Sequence, residues 1–124
     1  MVIEANFASA HVPHMAQRPE DMIPESLAAE MRPEKIGYRL KLLREGLELK
    51  PAQISDMLGI ERTYWSRFEN GRRVVSDATA ALLVDRFGVT LDFLILNRWD
   101  KLPLDLANKM RAADARLSKE SQNN

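Results

Sequence analysis

The stretch from Ile54 to Gly71 constrains the fold of this chain more than any other part of the sequence. Its apolar residues are spaced as in two short helices that meet at Gly59. Glycine suits a sharp turn there, because the backbone must reverse where a side chain would clash. We expect Ile60 to fill the turn and Trp65 to anchor the second helix beneath it. The sequence therefore predicts two short helices joined by a tight turn.

An inward Trp65 leaves a polar and cationic outer face on the second helix, which we place near residues 62–70. The members of this face are Arg62, Thr63, Ser66 and Arg67. The major groove of DNA is wide enough to take an α-helix. Arginine can bind guanine O6 and N7 through two hydrogen bonds, and threonine can contact thymine through its methyl group. The pattern favours base reading; a helical hairpin with a solvated charged face is the alternative.

Groups beside this outer face are suited to the phosphates of DNA. The hydroxyl groups of Tyr64 and Ser66 can reach phosphates. Arg72 and Arg73 follow the helix, where they can neutralise backbone charge.

Further helices are predicted on both sides of this pair, from the spacing of apolar residues and from glycine and proline at the helix ends. One begins at Pro33 and stops at Gly46, with Arg39, Lys41 and Arg44 away from its apolar stripe. Another covers about Asp77–Phe87, and a short one covers residues 90–97 with Thr90 as its cap. The predicted buried positions are Ile36, Leu40 and Leu43; Ile54, Met57 and Leu58; Trp65 and Phe68; Ala80, Leu83, Val84 and Phe87.

A last amphipathic helix is predicted from Pro103 onward. One stripe of it is apolar, formed by Leu102, Leu106, Met110, Ala113 and Leu117. Such a stripe either completes the core of the monomer or pairs with a second copy.

Charge is unevenly distributed in a chain whose net charge is zero. Residues 1–34 have six acidic and two basic groups, whereas residues 35–98 have eleven basic and eight acidic groups. The basic excess is small, so affinity for DNA should depend on the placement of charges.

Composition argues against several other classes of protein. The 124 residues contain no cysteine, no Gly-rich phosphate loop and no apolar run of membrane-spanning length, and the first residues do not resemble a signal peptide. His11 and His14 lack further ligands, so we expect two solvated histidines rather than a metal site. We therefore expect a cytoplasmic protein that is not an enzyme and has neither cofactor nor metal.

From Ile36 to about Asn97 the chain resembles the Cro/lambda-repressor type of helix-turn-helix protein, also called the Xre family. The resemblance covers about half of the chain and is strongest in the Ser-Arg-Phe-Glu-Asn-Gly-Arg core, residues 66–72. The other matching positions are Ile36, Gly37, Arg39, Leu40, Leu43, Arg44, Ile54, Leu58, Gly59, Ile60, Arg73, Leu83, Gly88, Val89, Leu91, Asp92 and Leu94. It implies an all-α, lambda-repressor-like five-helix DNA-binding domain and a transcriptional regulator, most simply a repressor.

The resemblance also implies roles for single residues. Arg62, Thr63 and Arg67 match base-reading positions, and Asn70, Arg72 and Arg73 match phosphate-binding positions. Arg44 and Glu69 match a pair of residues that forms a buried ion pair in some members; two separately solvated charges are the alternative.

The sequence departs from the family at the start of the helix that precedes the turn. Lys50 and Pro51 replace a polar cap and a phosphate-binding glutamine, so we expect Lys50 to supply charge to that phosphate. Glu61 brings a negative charge near the DNA, where it either selects against some bases, accepts from cytosine or caps its helix.

We divide the chain into three parts. A flexible acidic leader covers residues 1–34 with a short helix near 24–31, the DNA-binding domain covers 35–98, and an amphipathic C-terminal helix with a frayed tail covers 99–124.

The expected partner is double-stranded DNA, as an inverted-repeat operator bound by a homodimer. The dimer is expected near the fifth family helix and the C-terminal segment, with Trp99 and Leu102 as candidate interface residues. For Trp99, capping the core of its own domain is the alternative. Two alternatives are an antitoxin, whose leader or C-terminal helix would bind a toxin, and a protein-interaction module on the same fold.

Overall fold

A computed structural model of the chain describes residues 18–123, and this part of it contains eight helices and no strand. The helices are α1 (Pro19–Met22), α2 (Glu25–Glu30), α3 (Pro33–Gly46), α4 (Pro51–Leu58), α5 (Arg62–Glu69), α6 (Asp77–Phe87), α7 (Leu91–Leu96) and α8 (Leu104–Gln122). None of them is long and apolar enough to cross a membrane. His11 and His14 lie outside the described residues. The predicted all-α fold is confirmed.

Proline and small hydroxyl residues determine where several helices begin. Pro33 and Pro51 lie in the first turns of α3 and α4, where a missing N–H breaks no helical hydrogen bond. The Oγ1 of Thr90 accepts a hydrogen bond from the backbone N–H of Phe93 at 3.0 Å, so the predicted cap of α7 is confirmed. Ser76 caps α6 in the same way.

Helix α3 lies at the centre of the core and packs against α5, α7 and α8. Leu40 and Leu43 of α3 are almost wholly buried. The largest buried side chains around them are Trp65 of α5 and Phe93 of α7. A single apolar core therefore joins the helix-turn-helix to the C-terminal helix.

Helix α3 ends at Gly46, as the sequence predicts, but not through a left-handed glycine. The backbone of Gly46 is not left-handed; the residue with a positive φ is Glu48, at 58°. A Cβ atom on Gly46 would lie 3.1 Å from Cγ of Met110 and 3.2 Å from its backbone nitrogen. Glycine at this position therefore gives α8 room to approach the backbone of α3 closely.

The predicted inward face of α4 is wrong at Met57, which is 44% exposed. The buried residues of α4 are Ile54, Ser55 and Leu58. Since successive helical residues are rotated by about 100°, this face points roughly 100° away from Met57. Ser55 is polar, so a search for apolar spacing does not predict its burial. Its hydroxyl can be buried because Oγ donates to the carbonyl oxygen of Pro51 at 2.7 Å.

Arg39 of α3 is buried, contrary to its predicted place on a polar side of the helix. One terminal nitrogen donates to the carbonyl oxygen of Leu94 at 2.8 Å. The other donates to the carbonyl oxygen of Glu30 at 2.8 Å and to its Oε1 at 2.5 Å. Burial lowers the pKa of Arg39, and the hydrogen bond and charge of Glu30 oppose this shift. Arg39 thus attaches α2 to α3 and to the end of α7.

Helix α8 completes the core of the monomer. Its apolar stripe packs against α3, and Met110 is fully buried. The hydroxyl of Tyr38 on α3 donates to Oδ1 of Asp114 on α8 at 2.6 Å, and burial together with Asp114 raises the pKa of Tyr38 to about 12. Leu102 is also buried in this core, so its predicted availability at a dimer interface is wrong.

Trp99 packs within its own domain. Its ring meets Phe93 edge-on, with 4.8 Å between ring centroids, and the guanidinium of Arg111 lies 4.5 Å from its centroid. The indole N–H donates to Oδ1 of Asn97 at 3.0 Å. These contacts correspond to the capping role that the sequence left open beside an interface role.

Replacing Met110 with alanine tests the packing of α8 in the monomer. We expect Met110→Ala to lower the free energy of unfolding by about 2–5 kcal/mol, because it empties a filled core position. Leu104→Ala is the matched control on the same helix, since Leu104 is 75% exposed, and we expect a change within about 0.5 kcal/mol. Urea denaturation measures both, and equal values for the two variants would contradict this packing.

Candidate nucleic-acid interface

The turn between α4 and α5 has the geometry that the sequence predicts, with a different reason for glycine. Gly59 has a φ of 69°, in the left-handed region that glycine adopts without strain. A Cβ atom there would meet nothing within 4 Å, so the requirement is conformational and the predicted steric clash is absent. The N–H of Ile60 donates to the carbonyl oxygen of Ser55 at 3.1 Å, which closes the turn.

Helix α5 has one buried face and one exposed face. Trp65 and Phe68 are buried, as the sequence predicts. The four predicted base-reading residues, Arg62, Thr63, Ser66 and Arg67, are all exposed. Their positions along eight helical residues place them on the outer side of α5, away from the core. The structure therefore brings these four side chains together on one surface.

The predicted phosphate-binding residues lie on both sides of α5. Lys50 immediately precedes α4 and is exposed. Arg72 and Arg73 are exposed in the loop beyond α5, and the backbone N–H of Arg72 donates to the carbonyl oxygen of Arg67 at 2.8 Å. The loop that carries both cations is thus attached to the end of the helix.

Asn70 has a structural contact in addition to its predicted phosphate contact. Its Nδ2 donates to the carbonyl oxygen of Ser66 at 2.9 Å, and the same oxygen accepts from the backbone N–H of Asn70 at 3.1 Å, so the side chain lies against the last turn of α5. The backbone of Asn70 is not left-handed, whereas that of the next residue, Gly71, is, at a φ of 70°.

Asp56 of α4 contacts the first arginine of the outer face. The distance from a terminal nitrogen of Arg62 to Oδ2 of Asp56 is 3.6 Å, and both side chains are mostly exposed. An exposed pair of this kind contributes little to stability. Sequence reasoning missed Asp56, because the contact crosses the turn and no periodic signal connects the two positions.

Arg44 and Glu69 form the ion pair that the resemblance implies. Nε of Arg44 lies 2.6 Å from Oε2 of Glu69, and NH2 lies 3.2 Å from Oε1. The remaining terminal nitrogen of Arg44 donates to the carbonyl oxygen of Leu49 at 2.9 Å, and the indole N–H of Trp65 donates to Oε2 of Glu69. One network thus ties α3 to α5 and to the loop before α4.

The carboxylates around Arg44 stabilise its positive charge. Burial alone lowers the pKa of this guanidinium, but the hydrogen bonds and charges of Glu69 and Glu45 outweigh it and raise the pKa above its ordinary value. Sequence reasoning found the pair but missed the part played by Trp65, whose spacing indicates only burial.

Gly37 allows the backbones of α3 and α5 to touch. A Cβ atom at this position would lie 2.4 Å from the carbonyl oxygen of Phe68 and 2.6 Å from that of Glu69. No ordinary side chain fits such a space. The close approach and the ion pair together set the position of α5 on the domain.

Comparison with known proteins agrees with this geometry. Residues 35–93, from α3 into α7, match the sequence model of a family described as the helix-turn-helix domain. The chain matches no curated protein and no solved structure. Over residues 35–93 the chain is thus similar to helix-turn-helix domains, in agreement with the two short helices and the tight turn of the structure.

Replacing Glu69 with glutamine tests the ion pair. We expect Glu69→Gln to lower the free energy of unfolding by about 3 kcal/mol, because it removes the countercharge nearest to a buried guanidinium and leaves only Glu45, at 3.3 Å. Glu61→Gln removes the same charge from an exposed residue whose side chain makes no cap hydrogen bond, so we expect a change within about 0.5 kcal/mol. Equal losses in thermal or urea unfolding would show that the pair does not hold α5.

Proposed function

We propose that this protein is a transcriptional regulator, most simply a repressor, that binds double-stranded DNA in a sequence-specific manner. The observation that carries the proposal is the exposed outer face of α5, where Arg62, Thr63, Ser66 and Arg67 lie together on a helix fixed to the domain by the Glu69 pair. In this proposal α5 enters the major groove. Arg62 and Arg67 donate to guanine, and Thr63 and Ser66 contact neighbouring bases.

Phosphate contacts orient this helix along the duplex. Lys50 at the start of α4 binds one phosphate, and Arg72 and Arg73 bind others beyond the end of α5. Such contacts hold the register of α5 and make affinity fall with salt. Asp56 and Glu61 lie beside Arg62. Their negative charges repel phosphates and therefore weaken binding to DNA of any sequence.

The proposed relationship is with the Cro/lambda-repressor type, whose members bind two half-sites as dimers. The apolar stripe of α8 is buried against α3 within the monomer, so a dimer needs another surface. Leu91 of α7 is 52% exposed and borders an apolar groove of about 200 Å³ between α6 and α7. Ala80, Ala81 and Ile95 form part of its wall. We propose this groove as the contact between two copies.

Selection from random DNA tests the proposed function. Purified protein is incubated with a pool of random duplexes at about physiological salt, because affinity depends strongly on salt, and the retained DNA is sequenced. An enriched inverted repeat is the expected result. Absence of enrichment, with binding that vanishes evenly as salt rises, would refute a sequence-specific regulator.

Arg67→Ala should relax specificity at particular base positions. Loss of a two-bond contact to guanine costs about 1–3 kcal/mol of discrimination against the wrong base. Arg98→Ala is the control, because Arg98 is an exposed arginine beyond the end of α7, outside the proposed interface. Fluorescence anisotropy with the selected duplex and its single-base variants measures the effect. If Arg67→Ala keeps the base preferences of the wild type, Arg67 does not read a base.

Leu91→Asp should separate the proposed dimer. A charge in the apolar groove opposes its burial against a second copy, so we expect a monomer in sedimentation velocity and loss of cooperative binding to an inverted repeat. Leu104→Asp places the same charge on a more exposed leucine outside the groove and should leave the dimer unchanged. A monomeric wild-type protein, or a dimer that survives Leu91→Asp, would contradict this surface.

One observation favours a second function, a protein-interaction module that uses the same face. The carboxylate of Asp56 contacts Arg62, and Glu61 adds a further negative charge at the start of α5. Both carboxylates oppose contact with phosphates. If the selection experiment yields no enrichment, this module becomes the better proposal.

A further inference from the structure

The guanidinium of Arg73 lies over the aromatic ring of Tyr64, with 4.4 Å between its central carbon and the ring centroid. Tyr64 belongs to α5, whereas Arg73 belongs to the loop beyond it. Cations at this distance from a ring face are attracted by the negative potential of the π system. The contact therefore joins the outer part of α5 to the loop that the proposed function assigns to phosphates.

The Tyr64 ring is a fixed support for this cation. It is half-buried and packs against the hydrophobic core, while the ring of Phe68, one turn further along α5, is buried. The Arg73 side chain is otherwise exposed, so its contact with this ring limits the positions that the guanidinium can take.

A contact through the ring face differs in its chemistry from an ion pair. A cation–π contact needs no hydrogen bond to an acceptor oxygen, so the N–H donors of Arg73 stay available for the oxygens of a phosphate. In Arg62, by contrast, a terminal nitrogen lies 3.6 Å from the carboxylate of Asp56. Arg73 is thus held in place without a competing anion at that contact.

We propose that Tyr64 is a positioning residue, whose ring holds the guanidinium of Arg73 ready for a phosphate of the DNA backbone. This inference rests on the proposed function. It assigns to the ring the part that sequence reasoning gave to the tyrosine hydroxyl. Tyr64 then acts on DNA through Arg73.

The free protein gives the first test. In the proton NMR spectrum, ring current from Tyr64 should shift the side-chain signals of Arg73 upfield in the wild type. The shift should persist in Tyr64→Phe, which keeps the ring, and disappear in Tyr64→Leu, which keeps apolar bulk only. Thermal unfolding confirms that each variant is folded. Wild-type Arg73 signals at ordinary positions would overturn the proposal without any DNA in the sample.

Binding of a mixed-sequence 30-base-pair duplex gives the second test. Arg73→Ala should reduce the slope of log affinity against log salt by about 0.9, the value for one phosphate contact. Tyr64→Leu should weaken binding about 2- to 10-fold, because an arginine that the ring no longer holds loses side-chain freedom when it binds a phosphate. Tyr64→Phe should bind as the wild type does.

The double variant distinguishes positioning from an independent contact. Tyr64→Leu should have no further effect once Arg73 is alanine, because its action passes through Arg73. Effects that multiply, or weak binding by Tyr64→Phe, would assign Tyr64 a contact of its own and overturn the proposal. A wild-type protein that shows the ring-current shift but binds no duplex would overturn the use of Arg73 on DNA together with the proposed function.

Discussion

The close crossing of α3 and α5 is the constraint on which the rest of the structure depends. At one end of the crossing, Gly37 lets the α3 backbone touch the carbonyl groups at the end of α5. Two turns further along α3, Arg44 reaches the side chain of Glu69 and the loop before α4. Separating the two charges of a buried pair costs free energy, because each is then left buried without its partner. The network therefore favours one arrangement of α3 and α5. The outer face of α5 is presented to solvent as a consequence.

The two terminal parts of the described chain also depend on α3. Arg39 connects α2 to the end of α7, and Gly46 admits α8 to the other end of the same helix. A helix with partners on so many sides has little freedom to move relative to them. The acidic segment before the domain and the C-terminal helix are therefore part of the support for the candidate interface, although neither lies in the helix-turn-helix itself.

The sequence predicted those features that periodicity and turn chemistry govern. Helix starts at proline, the cap at Thr90, the turn at Gly59 and the inward Trp65 all follow from local rules, and the structure contains them. The resemblance added the Arg44–Glu69 pair, which no local rule connects.

Features that depend on packing between distant elements were missed or misassigned. Met57 fits an apolar pattern but faces solvent, while Ser55 is buried because its hydroxyl finds a carbonyl group in its own helix. Arg39 is buried because α2 supplies a carboxylate to it. The Tyr64–Arg73 contact and the use of Gly46 likewise arise only when the chain has folded.

The most direct test of a DNA-reading α5 is NMR titration of labelled protein with a short duplex, with backbone amide signals followed residue by residue. If α5 reads DNA, the shifts should be concentrated in α5, in the loop through Arg73 and at the start of α4 near Lys50, with α8 unaffected. Shifts centred on α2 or α8, or none along α5, would contradict it.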